Sequence, residues 1–310
     1  MKSTNRYEAA KLNQEASYRH LIENLKDYAV FMMDHEGNIA TWNEGAERQF
    51  GYSEKEAIGK NFSIIFTKED QKLGIPKQEI KTAKTQGKAD DERKHVHKNG
   101  REFWSSGVVV PLKDDNGKLL GFTKIVRDVS ERKKAEGIIR HLAMHDTLTG
   151  LPNRIHMYDL LTKALIEAKR HKELLALAFA DLDRFKMVND TEGHDMGDLL
   201  LQEVAVRISS SLRQGDTVAR LGGDEFVIIL RKQKSPAQII KTVEKILFAL
   251  GPKFVISSKI LNAKASIGVA IYPQDGKDMN SLMKRADQAL YKAKASGGNC
   301  VKLYKEISSK

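Results

Sequence analysis

The chain has 310 residues, 41% of them hydrophobic and 30% charged, with a formal net charge of +11. That length exceeds one ordinary core and suits two domains, while no segment approaches the roughly 20 apolar residues of a membrane-spanning helix, so no membrane insertion is expected. The polar opening lacks the apolar stretch and cleavage site of a secretory signal, and a single cysteine, Cys300, excludes an internal disulfide or a cysteine-rich metal site, so a cytoplasmic protein is expected.

The charge is uneven. Residues 1–150 carry 26 basic and 23 acidic side chains and residues 151–310 carry 26 and 18, so the basic excess lies in the second half and suits a phosphate-rich ligand. No aromatic residues interleave with the basic ones as a stacking platform would require, and nucleic acid is not expected as a partner.

Along the chain, residues 1–17 read as a polar N-terminal helix. Residues 28–43 read as two short strands joined by the turn His35-Glu36-Gly37-Asn38. Helical, charged segments fill about 44–87, and three more strands follow, with turns at Lys98-Asn99-Gly100 and Asp115-Asn116-Gly117. His95 and His97 are expected to face solvent, and Trp42 and Trp104 to be core aromatics. Next, Ala135, Ile138, Leu142 and His145 recur at alternating spacings of three and four, a short heptad-like stripe. From 151 onward helices alternate with strands, which predicts an α/β domain with helices on the faces of a sheet. Cys300 reads as a small apolar strand residue.

Two acidic clusters carry the chemistry. Gly222-Gly223 between the strand-like runs 218–221 and 226–230 reads as a tight hairpin turn, with Asp224 and Glu225 at its tip. Adjacent carboxylates there cost energy unless something positive binds them. Asp181 and Asp183 end the run LLALAFAD and point the same way in a strand. Together these carboxylates either hold a hard cation such as Mg²⁺ or are two solvated turns. Asn189, taken alone, reads equally well as a helix cap.

Two sets of segments resemble known families. The phrases WNEGAERQFGYSEKEAIGK, KNGREFW and GFTKIVRDVSERKKAE, with the strand and helix order, resemble a PAS sensory domain over residues 18–130. HDTLTGLPNR, FADLDRFKMVNDTEGHDMGD, RLGGDEF and RADQALYKAKASG are similar to the signature segments of GGDEF-family diguanylate cyclases, in order and at plausible spacing. The resemblance implies an α+β PAS fold with an antiparallel sheet, a helical signalling linker at 131–147, and a cyclase domain at 148–310. That last domain would have a central sheet flanked by helices, like nucleotidyl cyclases and polymerase palms.

It further implies condensation of two GTP molecules into cyclic di-GMP by a homodimer, with two Mg²⁺ (or Mn²⁺) ions per site. Asp181, the Leu182 carbonyl, Asp224 and Glu225 would be metal ligands, with Asp224 accepting the proton of the attacking hydroxyl. Asn189 and Asp198 would read the guanine edge. Phe185, Lys186 and Lys294 would hold phosphates, and Gly222 and Gly223 of the turn would contact substrate. Where the family usually has arginine in Ser-Gly-Arg-Asn, this chain has Gly298, so a weaker phosphate grip is expected.

Arg213-Gln214-Gly215-Asp216 stands at the family's spacing for a product-inhibition site, with Arg213 and Asp216 binding cyclic di-GMP and Lys245 nearest to a further expected arginine. The PAS domain would regulate the cyclase through the linker helix. Its ligand is not identified, though the lack of cysteine excludes flavin-adduct photochemistry and the lack of histidine in 69–87 argues against haem. The alternative to an enzyme is a degenerate receptor that binds GTP or cyclic di-GMP. The few residues after the cyclase-like segments leave no room for a hydrolase domain, so a hybrid that also degrades cyclic di-GMP is not expected.

Overall fold

The computed structural model describes residue 17 and residues 20–256 and 259–308; apart from Ser17, the helix expected over 1–17 lies outside the described residues. The chain divides into two compact units, the first ending at Gly137 and the second beginning at Ile138.

The first unit is a four-stranded antiparallel sheet in the order β1-β4-β3-β2, with β1 Tyr28–Met33, β2 Ala89–Val96, β3 Glu102–Lys113 and β4 Leu119–Asp128. Helices α1 Glu44–Phe50, α2 Glu54–Ala57, α3 Lys68–Lys72 and α4 Ile75–Gln86 lie between β1 and β2. Five strands were expected. The second is reduced to the isolated bridges Met33–Ile39 and Asn38–Asn61, because side chains take over the bonds a ladder would make. Asp34 accepts from the N–H groups of Glu36 and Asn38, Thr41 accepts from Met32 N–H, and Asn43 accepts from Val30 and Ala46 while capping α1.

Phe31, Trp42, Phe50, Phe62, Phe66, Phe103 and Phe122 form the core of this unit. Two expectations are corrected by strand alternation. Phe103 points inward, so its neighbour Trp104 is outward and 39% exposed, with the Lys133 ammonium over its ring. On β2 the inward set includes Ala89, Asp91 and His95, so His95 is fully buried instead of solvent-facing. His97 is half-buried beneath Gly51, where a Cβ would lie 2.2 Å from His97 Nε2.

Helix α5, Ser130–Met144, has no buried residue, and Ile138, Ile139 and Leu142 stand exposed along it. Of the heptad-like stripe, Ala135, Ile138 and Leu142 are thus exposed, while His145 lies past the helix end and packs edge-on against His156.

The second unit is built on a five-stranded sheet, β11-β10-β5-β7-β6, with β5 Leu174–Asp183, β6 Thr217–Gly222, β7 Glu225–Gln233, β10 Lys264–Tyr272 and β11 Val301–Leu303. Helices α6 Arg154–His171, α7 Phe185–Glu192, α8 His194–Ser211, α9 Pro236–Leu250 and α10 Met279–Ala295 accompany it, with a separate hairpin of β8 Phe254–Ile256 and β9 Lys259–Leu261. Strand β5 is buried on both faces, which explains its unbroken apolar run. Ala176, Ala178 and Ala180 face α8 and α9, while Leu175, Leu177 and Phe179 face α6 and α10. The small side chains let the helices of one layer approach closely, and β5 is thereby fixed at the centre with its carboxylates at one end. Cys300 lies half-buried just before β11.

Candidate active site

β5 and β7 pair antiparallel, and their last pair is Asp181 opposite Glu225. Like charges directly opposite on a sheet are destabilising, so this end of the sheet is built for something other than stability. Leu182 lies past that pair and has no β7 partner. The β6–β7 turn follows at once, with Gly222 at φ 143° and Gly223 at φ 54°, the second in the left-handed region that favours glycine. Asp224 and Glu225 therefore stand at a hairpin tip beside Asp181, as the sequence indicated.

Asp181 is largely buried, and Lys294, in the last turn of α10, places its Nζ 2.6 Å from the carboxylate. Burial raises the Asp181 carboxyl above its ordinary range; the Lys294 ammonium opposes this, and the charges of Asp224 and Glu225 reinforce it. Among the described residues no three His, Cys, Asp or Glu side chains are already gathered as a cage. The donor set fits a cation all the same. Three carboxylates repel one another here and one already holds an ammonium, which suits a hard ion whose remaining positions come from water and substrate oxygens, as Mg²⁺ prefers.

Asp183 plays a different part. It accepts from Ser266 Oγ at 2.7 Å and from Asn299 N–H at 2.7 Å, so it closes the loop after α10 and stands apart from the acidic edge. Gly298 sits in that loop at φ 75°, and a Cβ there would lie 2.7 Å from Asp183 Oδ2. In this loop an arginine at that position would have a strained backbone and would press on the Asp183 carboxylate unless it moved.

Arg184, in left-handed backbone at φ 61°, turns the chain from β5 into α7. The first N–H groups of α7, those of Phe185 and Lys186, have no partner within the helix. Phe185 packs partly against the core and Lys186 is exposed, so the start of α7 offers backbone donors and a cation on the same edge as Asp181. Asn189, on α7, has a buried amide oxygen without a hydrogen-bond partner. It lies against Gly197 of α8, where a Cβ would fall 1.8 Å from Asn189 Oδ1, and the next residue, Asp198, is exposed. The structure thus brings Asn189 and Asp198 to one place. If Asn189 contacts the substrate, Gly197→Ala should push it aside and raise the substrate KM at least about tenfold, with a smaller change in kcat, as loss of one good polar contact predicts; steady-state kinetics checks this.

One residue missed in the sequence holds the turn. Arg220, 8% exposed on β6, donates from Nε and Nη2 to the Gly223 carbonyl at 2.9 and 2.8 Å and from Nη1 to Asp146 Oδ1 at 2.9 Å. Asp146 also accepts from Thr149 N–H and Oγ. The signal was an arginine between Ala219 and Leu221 in an apolar strand, since a buried guanidinium must be paired.

Arg213 and Asp216 come together as well, with Arg213 Nε 3.3 Å from Asp216 Oδ2. Asp216 also accepts from Arg231 N–H, and Arg213 donates to the carbonyls of Arg231 and Lys232. A small cavity of about 200 Å³ is lined by Arg213, Gly215, Arg231 and Lys232. Lys245 instead donates to the Ser211 carbonyl at 3.0 Å, so Arg231 and Lys232 are the cations beside Arg213.

The fold and the site define a class: an α+β module joined to an α/β domain that gathers carboxylates, a lysine and a helix start at one end of its sheet. Comparison with known proteins agrees. Residues 143–300 match the family described as diguanylate cyclase, GGDEF domain, and residues 27–131 match a PAS domain family. The chain is similar to the bifunctional diguanylate cyclase/cyclic di-GMP phosphodiesterase MucR of Pseudomonas aeruginosa, 47% identical over 158 residues, which cover 51% of this chain and 23% of that one. It is similar to the signaling protein YkoW of Bacillus subtilis, 33% identical over 291 residues, covering 93% of this chain and 35% of that one. The solved coiled coil and GGDEF domain of DgcB from Caulobacter crescentus, in complex with c-di-GMP, superposes with a TM-score of 0.52 at 31% identity, covering 56% of this chain and 93% of that one. The chain belongs to the GGDEF family, with a PAS domain ahead of its GGDEF domain. It spans roughly a quarter to a third of the length of the two curated relatives.

Proposed function

We propose that this protein is a diguanylate cyclase that joins two GTP molecules into cyclic di-GMP and releases two pyrophosphates. The observation that carries the reading is the meeting of Asp181 with Asp224 and Glu225 at a glycine hairpin clamped by Arg220. Asn189 and Asp198 read the guanine edge: a carboxylate accepts from the N1 and N2 hydrogens that adenine lacks, so ATP is rejected. The backbone N–H groups of Phe185 and Lys186 and the Lys186 ammonium hold the terminal phosphates. Lys294, now paired with Asp181, lies within reach of the same phosphates. Gly222 and Gly223 keep the turn free of side chains where the nucleotide passes.

Asp224 accepts the proton of the attacking 3′-hydroxyl, the new bond forms to the α-phosphorus, and the bond to the bridging oxygen breaks as pyrophosphate leaves. Asp181, the Leu182 carbonyl, Asp224 and Glu225 would hold two Mg²⁺ or Mn²⁺ ions, which would supply neutralisation of charge on the triphosphate and a lower pKa for that hydroxyl. Each domain binds one GTP, so two domains of a homodimer face each other, and their orientation is what the PAS domain regulates through α5. A cytoplasmic setting supplies GTP and Mg²⁺.

Purified protein incubated with GTP and Mg²⁺ should yield only cyclic di-GMP and pyrophosphate on chromatography, and nothing from ATP. No product from GTP under conditions where the protein is folded and dimeric overturns the reading.

Arg213 and Asp216 are our proposed site of product inhibition, with Arg213, Arg231 and Lys232 facing the phosphates of cyclic di-GMP. Asp216 serves chiefly to orient Arg213, since one of its oxygens faces that guanidinium and the other accepts from the Arg231 backbone N–H. Arg213→Ala should raise the inhibition constant for added cyclic di-GMP at least about tenfold, the equivalent of one charged hydrogen bond, and leave initial rates unchanged.

A further inference from the structure

Arg220 and Arg154 both stand beside the β6–β7 turn, and they differ in what they hold. The Arg220 guanidinium is buried and committed to the Gly223 carbonyl and to Asp146. Arg154, the first residue of α6, is half-exposed, and its guanidinium makes no hydrogen bond to any described residue. Its ion-pair partner is Glu225, whose Oε2 lies 3.9 Å from Arg154 Nη2, beyond hydrogen-bond reach.

The backbone beneath this side chain is fixed. Arg220 N–H donates to the Pro152 carbonyl at 3.0 Å and Asn153 N–H to the Met144 carbonyl at 2.9 Å. The Asn153 side chain caps α6 by accepting from His156 N–H, and Met157 and Leu161 bury the first turns of the helix against the sheet. A guanidinium on a rigid base thus stands beside the acidic edge with its donors open to a ligand.

Strand alternation says which face this is. Leu177 and Phe179 of β5 and Val227 and Ile229 of β7 pack toward α6 and α10, so Asp181 and Glu225, in the same phase, turn to that face as well. The start of α6 and the end of α10 therefore flank the Asp181–Glu225 pair with one cation each, Arg154 on Glu225 and Lys294 on Asp181. Lys294 is held at 2.6 Å. The pair made by Arg154 is exposed and long, hence weak, so Arg154 leaves Glu225 at little cost.

We propose that Arg154 is a nucleotide-binding residue, whose guanidinium leaves Glu225 and clasps the triphosphate through the two-pronged, charge-assisted contact that a planar fork makes and an ammonium does not. The pair with Glu225 is its resting position in the unliganded protein, and the carboxylate it leaves is then free to face a metal ion. The inference rests on the cyclase reading for the identity of the nucleotide. It adds to the phosphate grip a guanidinium that the loop of Ser296, Gly297, Gly298 and Asn299 does not offer.

The test is calorimetric titration of the purified full chain with 3′-deoxy-GTP in excess Mg²⁺; the analogue lacks the attacking hydroxyl, so binding is read without turnover. Arg154→Ala should raise the dissociation constant at least about tenfold, the equivalent of one charged hydrogen bond. Arg154→Lys should recover part of that loss, since it keeps the charge and loses the fork. Thermal unfolding of the unliganded proteins should coincide, because a half-exposed side chain without hydrogen bonds contributes little to the fold. An Arg154→Ala affinity within about threefold of the unmodified protein overturns the proposal, and so does a loss of affinity that comes with a lower unfolding temperature, which marks a structural role. Failure of the unmodified protein to bind the analogue overturns the cyclase reading itself, and this inference with it.

Discussion

Replacing Asp224 with asparagine is expected, on the proposed reading, to lower cyclic di-GMP formation at least about a thousandfold, since that reading makes Asp224 both the proton acceptor and a metal-facing carboxylate. The same change should leave the fold intact or slightly firmer. Asp224 is half-exposed at the hairpin tip, contributes no packing, and lies in a cluster where Asp181 and Glu225 repel it; surface changes of this kind stay within about 0.5 kcal/mol. The opposite signs matter. A residue of structural importance would lose activity and stability together, whereas a residue held against its own electrostatic preference loses only activity. Product chromatography and thermal unfolding of one preparation separate these cases, and turnover retained within tenfold of the unmodified protein would remove Asp224 from the proton-transfer role.

Arg220→Met should do the reverse, by acting first on the fold. It removes three hydrogen bonds from a buried guanidinium, leaves the Gly223 carbonyl unpaired and leaves Asp146 without its counter-ion. Breaking such a pair on one side costs about 3–5 kcal/mol, which for a domain of this size lowers Tm by roughly 6–20 °C.

Asp146 adds a pH signature. Burial favours its protonated form, but hydrogen bonds from Thr149 and Arg220 outweigh this and hold the carboxyl below its ordinary value of 3.8. A depressed carboxyl stabilises the folded state above its unfolded pKa and loses that contribution as pH falls through the folded one. The stability gap between the unmodified protein and Asp146→Asn should therefore be flat from about pH 5 to 8 and close below about pH 4. A gap that widens toward acid would contradict the assignment.

The two acidic clusters were legible because both obey local rules. LLALAFAD is too apolar for anything but a central strand, and two glycines before two carboxylates fix a hairpin, so Asp181 opposite Glu225 follows once the strands pair. What stayed hidden depends on the phase of alternation or on contacts distant in sequence. Residues 89–96, ADDERKHV, are polar in both phases, so nothing local says that Asp91 and His95 point inward; the helix α4 packed over them decides it. Trp104 is hydrophobic enough for a core, yet Phe103 already takes the inward position. The clamp of Arg220 on Asp146 joins residues 74 apart in the chain, and the crowding of a side chain at Gly298 comes from Asp183, 115 positions earlier. The short strands β9 and β11, three residues each, carry too few residues for any period to show.

The way α5 ends has a bearing on modular engineering. Asn153 donates from its side chain to the Ala143 carbonyl and from its backbone to Met144, while its amide oxygen caps α6, and Asp146 then reaches Arg220 and the active-site turn. The GGDEF domain therefore carries its own coupling to the last turn of α5. A foreign helix grafted upstream of Ala143 would inherit that coupling whole, whatever its sequence, whereas a graft placed after Met144 would sever it; the transferable unit begins in the final turn of the helix, where the family match also begins.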